Sequence, residues 1–292
     1  MKFQLLKLVL ALTSYMPLKL AHLIGGFIGW IYQIKHSKIK NIALANIQKC
    51  FPELNPEQQH QLVQDSLLET GKLISEIGII WGRSSHSVLA LIKEVEGEEL
   101  IHQARQQGQG VLLAIPHIGS WEMVGLYCAK HFPMTTLYRP PKVKGFDQKI
   151  HQARQRTGAT LVPTDNSGVR ALSKALKNAE LVGMLPDQEP SMGNGLFAPF
   201  FNVPAYTMTL LPKMATKFNC QVIYTYAQRL PASQGFKLIF RASSGSFANK
   251  SLQEATELMN GDIEKLVREC PSQYQWIYKR FKTRPEGEAE FY

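Results

Sequence analysis

From Gly108 onward, short apolar, strand-like runs, the first of them (Val111–Ile115) without a polar face, alternate with segments of helical period. This alternation restricts the fold more than any other feature, because strands covered on both faces belong to sheets flanked by helices. The apolar runs are VLLAI (111–115), MTTLYR, ATLVP and LVGML, separated by helical patterns over 120–131, 146–157 closing at Gly158, and 167–177. After a loop rich in Gly and Pro, a helix is expected over 205–218, then strands QVIYTYAQR and FKLIFRA, then a helix over 251–269. The expected class is α/β, with a mixed, mostly parallel sheet flanked by helices and the last two strands open to antiparallel pairing. Residues 41–107 read as helices: NIALANIQKCF, a long amphipathic segment opened by Asn55-Pro56-Glu57 and running to about Ile80, then 87–100, then one ending at Gln107. At 292 residues, 45% hydrophobic and 19% charged, the chain can bury a large core.

The N-terminal segment has a different character. Residues 1–52 hold seven lysines (2, 7, 19, 35, 38, 40 and 49) and no Asp or Glu, within a net charge of +10. The cations flank apolar runs, Leu8–Leu18 and Leu20–Ile34, instead of lining an aromatic groove. That pattern points away from nucleic acid and toward anionic lipid or an acidic partner. Trp30 and Tyr32 followed by Lys35, Lys38 and Lys40 resemble a membrane-interface boundary with its basic side cytoplasmic. The expected organisation is a membrane anchor or interfacial helices over 1–34, then one domain over 35–292. That domain has a helical lead-in (35–107) and a sheet-containing catalytic part (108–292).

The stretch VLLAIPHIGSWE places His117 just past a buried strand and Glu122 in the first turn of the next helix. In one continuous helix, five residues would turn these side chains about 140° apart. Gly119 permits a bend and Ser120 can cap the helix, so the expectation is that His117 folds back onto Glu122. A carboxylate beside an imidazole fixes its tautomer and makes a general base. The same spacing recurs at His60 and Asp65, inside an unbroken helical pattern, where it reads as a solvated face. Open sheets gather ligands at the carboxyl ends of their strands. There the sequence also puts Arg139, followed by Pro140, Pro141 and Lys142, and Asp187-Gln188-Glu189 after LVGML, with Arg154 in the helix leaving that edge.

Other chemistries lack their residues. Cys50, Cys128, Cys220 and Cys270 have neither C-x-x-C nor His spacing, so no disulfide framework or metal is implied. Gly193–Ala198 matches G-x-G-x-x-A but does not lead from a strand into a helix, so no dinucleotide is implied. Phe197, Phe200 and Phe201 in that loop fit either an apolar channel wall or core. A G-x-S-x-G elbow, a P-loop and H-E-x-x-H are all missing from the sequence.

HIGSWE, YRPPK, PDQ, APFFNVPA and QYQWIYKRFKTRP, with KNIALANIQKCFPEL near the start, resemble in order the motifs of the late lipid A acyltransferases. These are the lauroyl and myristoyl transferases of Gram-negative endotoxin synthesis, and the resemblance spans nearly the whole chain. It implies an enzyme on the cytoplasmic face of the inner membrane that needs no cofactor. Such an enzyme moves an acyl chain from acyl carrier protein to a 3-hydroxyacyl hydroxyl of a lipid A precursor. By the same resemblance His117 and Glu122 are the catalytic pair, Arg154 matches the family's helix arginine and Asp187 its acidic loop residue. With Arg139 from the strand-end reading, Arg154 and Asp187 are expected to bind substrate, the two arginines holding phosphates. Two positions depart from the family pattern. Tyr278-Lys279 stands where His-Arg is usual, so that stretch receives no catalytic role, and Glu122 stands where Asp is commoner. Two other readings share these features: a glycerophospholipid or lysophospholipid acyltransferase, and a non-catalytic lipid-binding protein.

Overall fold

The computed structural model describes residues 11–34, 37–139, 147–218 and 220–292. Seven strands make its framework: β1 (Ile92–Glu96), β2 (Gly110–Ala114), β3 (Met134–Tyr138), β4 (Thr160–Pro163), β5 (Leu181–Met184), β8 (Cys220–Arg229) and β9 (Phe236–Ala242). They form one sheet in the order β1-β9-β8-β2-β5-β3-β4. All neighbours pair in parallel except β8 and β9, which are antiparallel. A separate hairpin is formed by β6 (Gly195–Phe200) and β7 (Val203–Met208).

Helices cover both faces. Leu112, Ala114, Val182, Met184 and Val222 pack beneath α8 (Asn166–Lys177), α9 (Leu210–Lys217) and α10 (Leu252–Glu269). Val111, Leu113, Ile115, Leu181 and Ile223 face the other way, beneath α5 (Glu99–Gln106) and α6 (Trp121–His131). Every residue of β2 is buried, as its unbroken apolar run requires. Remaining helices are α1 (Leu18–Ile34), α2 (Lys38–Cys50), α3 (Pro56–Gly82), α4 (Ser85–Leu89) and α7 (Asp147–Gln155). The start of α3 is set by a capping box between Asn55 and Gln58, with Pro56 in the first turn. It bridges the two halves of the core, with Val63 and Leu67 in one and Ile79 and Ile80 in the other.

The expectation of an N-terminal helical membrane anchor is overturned. Among the described residues no helix is long and apolar enough to cross a membrane. The 17 residues of α1 rise about 26 Å, short of the roughly 30 Å hydrocarbon core. One face of α1 is also committed to protein. A Cβ on Gly29 would stand 2.3 Å from the Leu67 carbonyl oxygen, and one on Gly71 would stand 1.9 Å from that of Gly25. Only glycine allows these two helices to lie so close. Leu8, Val9 and Leu10 of the first apolar run lie outside the described residues, as do Lys2, Lys7 and Lys35.

Two further segments differ from the sequence reading. Residues 92–96, expected within a helix, form the edge strand β1, whose parallel partner β9 supplies backbone hydrogen bonds. Residues 205–208, expected to open a helix over 205–218, belong instead to β7 and pair with β6, and only Leu210–Lys217 is helical. Pairing overrides local periodicity in both places, with a distant strand for β1 and an adjacent hairpin strand for β7.

Candidate active site

The site stands at the carboxyl end of β2, the middle strand of the sheet. The Ile115 N–H donates to the Met184 carbonyl at 2.8 Å, and the Ile118 N–H reaches back to the Pro116 carbonyl at 2.7 Å. The resulting three-residue turn has His117 at its centre. Its backbone is held on several sides. The His117 carbonyl accepts from the Gln275 N–H at 3.1 Å, the Gly119 N–H donates to the Gln273 carbonyl at 2.9 Å, and the Ser120 N–H donates to the Ala227 carbonyl at 2.8 Å. Gly119 has φ +60°, and a Cβ there would meet the Ala227 carbonyl oxygen at 2.0 Å. Ser120 takes the position before α6, but its hydroxyl makes no capping bond. The expected side-chain cap is replaced by the Ser120 carbonyl, which accepts from the Met123 N–H at 2.9 Å.

The bend does not bring His117 onto Glu122. Instead the His117 Nδ1 lies 2.8 Å from Asp187, whose other oxygen accepts from the His117 N–H at 2.9 Å. Burial works to raise the Asp187 carboxyl, which is 2% exposed. The His117 charge and the bonds from its ring and backbone outweigh that and hold the group below the usual carboxylate range. Against an ionised Asp187 a neutral imidazole keeps its proton on Nδ1, and in that tautomer the Nε2 lone pair is free. Trp121 stacks edge-on against the imidazole, with ring centres 4.8 Å apart. His117 lines a cavity of about 660 Å³ together with Arg139, Asn166, Gln188 and Lys213.

Glu122 is held by other partners. Its carboxylate takes a two-pronged contact from Arg154, through Nε at 3.0 Å and through Nη2, and a bond from the Trp81 indole at 3.3 Å. Desolvation lowers the Arg154 pKa, but the Glu122 charge overrides it and the net shift is upward. The pair borders a narrow slot of about 70 Å³, lined by Ile115, Met134, Leu161 and Leu185. The slot shares Thr136, Leu137 and Leu185 with the larger cavity. Among the described residues no hydrogen bond joins His117 to Glu122. Arg139 is exposed at the cavity rim, and Pro140, Pro141 and Lys142 lie outside the described residues. The residues expected at these strand ends do share one edge of the sheet, but His117 pairs with Asp187 and Glu122 with Arg154. Nothing local could have shown that Asp187, seventy positions away, reaches His117.

Sequence reasoning missed the support behind this turn. Arg229, at the end of β8, donates to the Gly119 carbonyl at 3.2 Å and forms a buried, two-pronged pair with Glu76 of α3, at 2.7 and 3.0 Å. Glu69 reaches the same guanidinium at 3.3 Å, and His22 of α1 lies 3.1 Å from Glu76. Burial pushes Glu76 upward, but Arg229 and His22 dominate and bring it down to about 2. The available signal was a lone carboxylate in the apolar stretch LISEIGIIWG and an arginine closing a buried strand.

The remaining expectations fall out simply. His60 bonds the Pro56 carbonyl at 2.6 Å and Asp65 accepts from Gln61, so that second pair is a solvated helix face. Phe200 and Phe201 are core, with Phe201 against Phe51 and Trp276 and Phe200 against Phe201 and Tyr274. The Tyr278 hydroxyl accepts from the Glu189 N–H at 2.9 Å, and Asn46 donates to the Trp276 and Tyr278 carbonyls at 2.7 and 2.8 Å. The C-terminal segment thereby braces the loop that carries Asp187.

Comparison with known proteins bears on what such a site serves. Residues 3–283 match the family model for bacterial lipid A biosynthesis acyltransferases. The chain is 28% identical over 285 residues to the lipid A biosynthesis palmitoleoyltransferase of Escherichia coli K12, covering 97% of this chain and 92% of that one. It is 26% identical over 280 residues to the lauroyltransferase of the same organism, covering 96% and 90%. The myristoyltransferase is 21% identical over 251 residues, covering 86% and 77%.

Proposed function

The chain belongs to the bacterial lipid A biosynthesis acyltransferases, and from that premise we propose how its residues carry out acyl transfer onto lipid A. His117 is the general base, and Asp187 orients it. The acceptor is a 3-hydroxyacyl hydroxyl of a lipid A precursor, and the donor is an acyl thioester on acyl carrier protein. Nε2 takes the hydroxyl proton as the oxygen attacks the thioester carbonyl. The tetrahedral intermediate then expels the thiolate, which recovers that proton from Nε2, leaving an ester and a free thiol. Glu122 acts as a positioning residue that sets Arg154 along the slot, and Arg139 meets a phosphate of the acceptor at the cavity rim. The observation that carries this reading is the 2.8 Å His117–Asp187 contact at the wall of the large cavity.

A lipid acceptor requires access to a lipid surface. Leu20, Leu23, Ile24, Phe27, Trp30 and Ile34 of α1 are all exposed, and Lys19 and Lys72 rim an apolar groove beside them. In this reading that face rests on the inner membrane from the cytoplasmic side without crossing it.

Purified protein supplied with lauroyl carrier protein is expected to acylate a lipid A precursor and leave lysophospholipid and glycerol phosphate untouched. Mass spectrometry of the products reads the outcome. Acylation of the smaller acceptors alone would overturn the assignment in favour of a glycerophospholipid enzyme. Lipid binding with no turnover would mark a carrier. Phe27→Glu with Trp30→Glu is expected to reduce co-sedimentation with anionic phospholipid vesicles, and undiminished binding would remove α1 as the lipid-facing surface.

A further inference from the structure

Helices α8 and α9 pack on the same face of the sheet, and their first turns, through Asn166, Val169, Leu210 and Lys213, line the cavity that holds His117. Both carry rows of cations. Arg170, Lys174 and Lys177 follow one another at i, i+4 and i+7 on α8, and Lys213 and Lys217 at i and i+4 on α9, so each row occupies one helix face. All five are exposed. Neither helix contains an Asp or Glu. The flanking acid, Asp165, is taken up in capping α8 through the Ser167 and Gly168 N–H groups. Among the described residues none of the five cations is in a salt bridge within 4.0 Å, whereas cations on the opposite sheet edge, such as Lys237 and Arg241, are paired.

What such a surface binds depends on what accompanies the charge. A lipid-facing surface joins cations to exposed apolar side chains, and the large exposed apolar residues are concentrated on α1, with none on α8 or α9. A single phosphate needs two or three converging donors, whereas these rows run the length of two helices, about 16 Å from the cavity mouth for Lys177. That is the footprint of a folded acidic partner, drawn in by complementary potential.

We infer that the α8–α9 face docks an acidic protein that presents the acyl thioester to the cavity. This rests on the acyl-transfer reading above and assigns the donor's surface, distinct from the lipid-facing α1. Because docking is electrostatic, it acts on encounter and on donor KM, and it weakens with salt.

The test measures steady-state transfer and the binding of fluorescently labelled lauroyl carrier protein to the full-length enzyme. Arg170→Glu/Lys174→Glu/Lys177→Glu is expected to raise donor KM at least tenfold and weaken binding equally. It should leave kcat within about twofold and acceptor KM unchanged, and the salt dependence of the wild type should largely vanish. The corresponding triple Gln variant should show the same effects to a smaller degree, which guards against a folding defect in the reversed protein. Lys93→Glu/Lys130→Glu, which alters net charge elsewhere, should change none of these. Unchanged donor KM and binding in the triple variant would overturn the proposal, as would an equal rise in the control. So would loss of anionic vesicle binding with donor binding intact, which would assign this face to lipid. A wild type that transfers from no donor defeats the acyl-transfer reading, while the binding arm still decides the surface.

Discussion

Replacing Asp187 by Asn is expected to lower kcat for acyl transfer by up to about 10⁴-fold with the fold retained, an effect that the same exchange produces in serine-protease triads. The introduced amide still accepts from the His117 backbone N–H with its oxygen, so the loop has no reason to move. Its nitrogen, however, then faces Nδ1 as a donor, and the imidazole responds by carrying its proton on Nε2. The nitrogen that should receive the hydroxyl proton is already protonated. His117→Ala removes the base outright, with an expected loss of about 10²–10⁴-fold. Because the two residues act as one unit, the double variant should be no slower than the worse single variant. His60→Ala should be indistinguishable from wild type. Initial rates with a lipid A precursor, alongside circular dichroism spectra, give the answer. Transfer within tenfold of wild type in purified His117→Ala would remove the imidazole from the chemistry.

Arg229→Met should have the largest effect on stability. It leaves the Glu76 carboxylate fully buried without its guanidinium, a change that costs about 3–5 kcal/mol in comparable sites. For a chain of this size the melting temperature should fall by on the order of 10 °C. Glu76→Gln should be milder, since Glu69 still reaches Arg229. Apolar replacement of both partners, Glu76→Met with Arg229→Met, should recover stability. It should leave kcat low, because the Gly119 carbonyl beside the catalytic turn still lacks its donor. Full recovery of activity in the double variant would show that this hydrogen bond is dispensable. The pH dependence follows from Glu76. Its pKa lies at about 2 in the fold, below its usual 4.5, so its stabilising contribution is present above 4.5 and is lost as pH falls toward 2. Between pH 5 and 3 the melting temperature of wild type should therefore fall more steeply than that of Glu76→Gln.

The parallel sheet, the strand carrying His117 and the bend at Gly119 were legible from local patterns alone. A short apolar run bounded by turn residues and set between helical patterns reads as a strand covered on both sides. Asp187 and Arg154 were likewise expected near His117, since strand ends in an open sheet converge on one edge. The pairing within that edge was not legible. Spacing of five residues suggested His117 with Glu122, but β5 delivers Asp187 to the imidazole, and Arg154 and Trp81 draw Glu122 away. The apolar N-terminus read as a membrane anchor because composition does not record what a helix packs against. The close approach of Gly25 and Gly29 to Gly71, and the pairing of His22 with Glu76, turn one face of α1 inward. Periodicity and turn chemistry are properties of neighbours in the chain, and these determined the elements. Which carboxylate meets which cation depends on contacts between residues tens to hundreds of positions apart, and only the packed structure decides those.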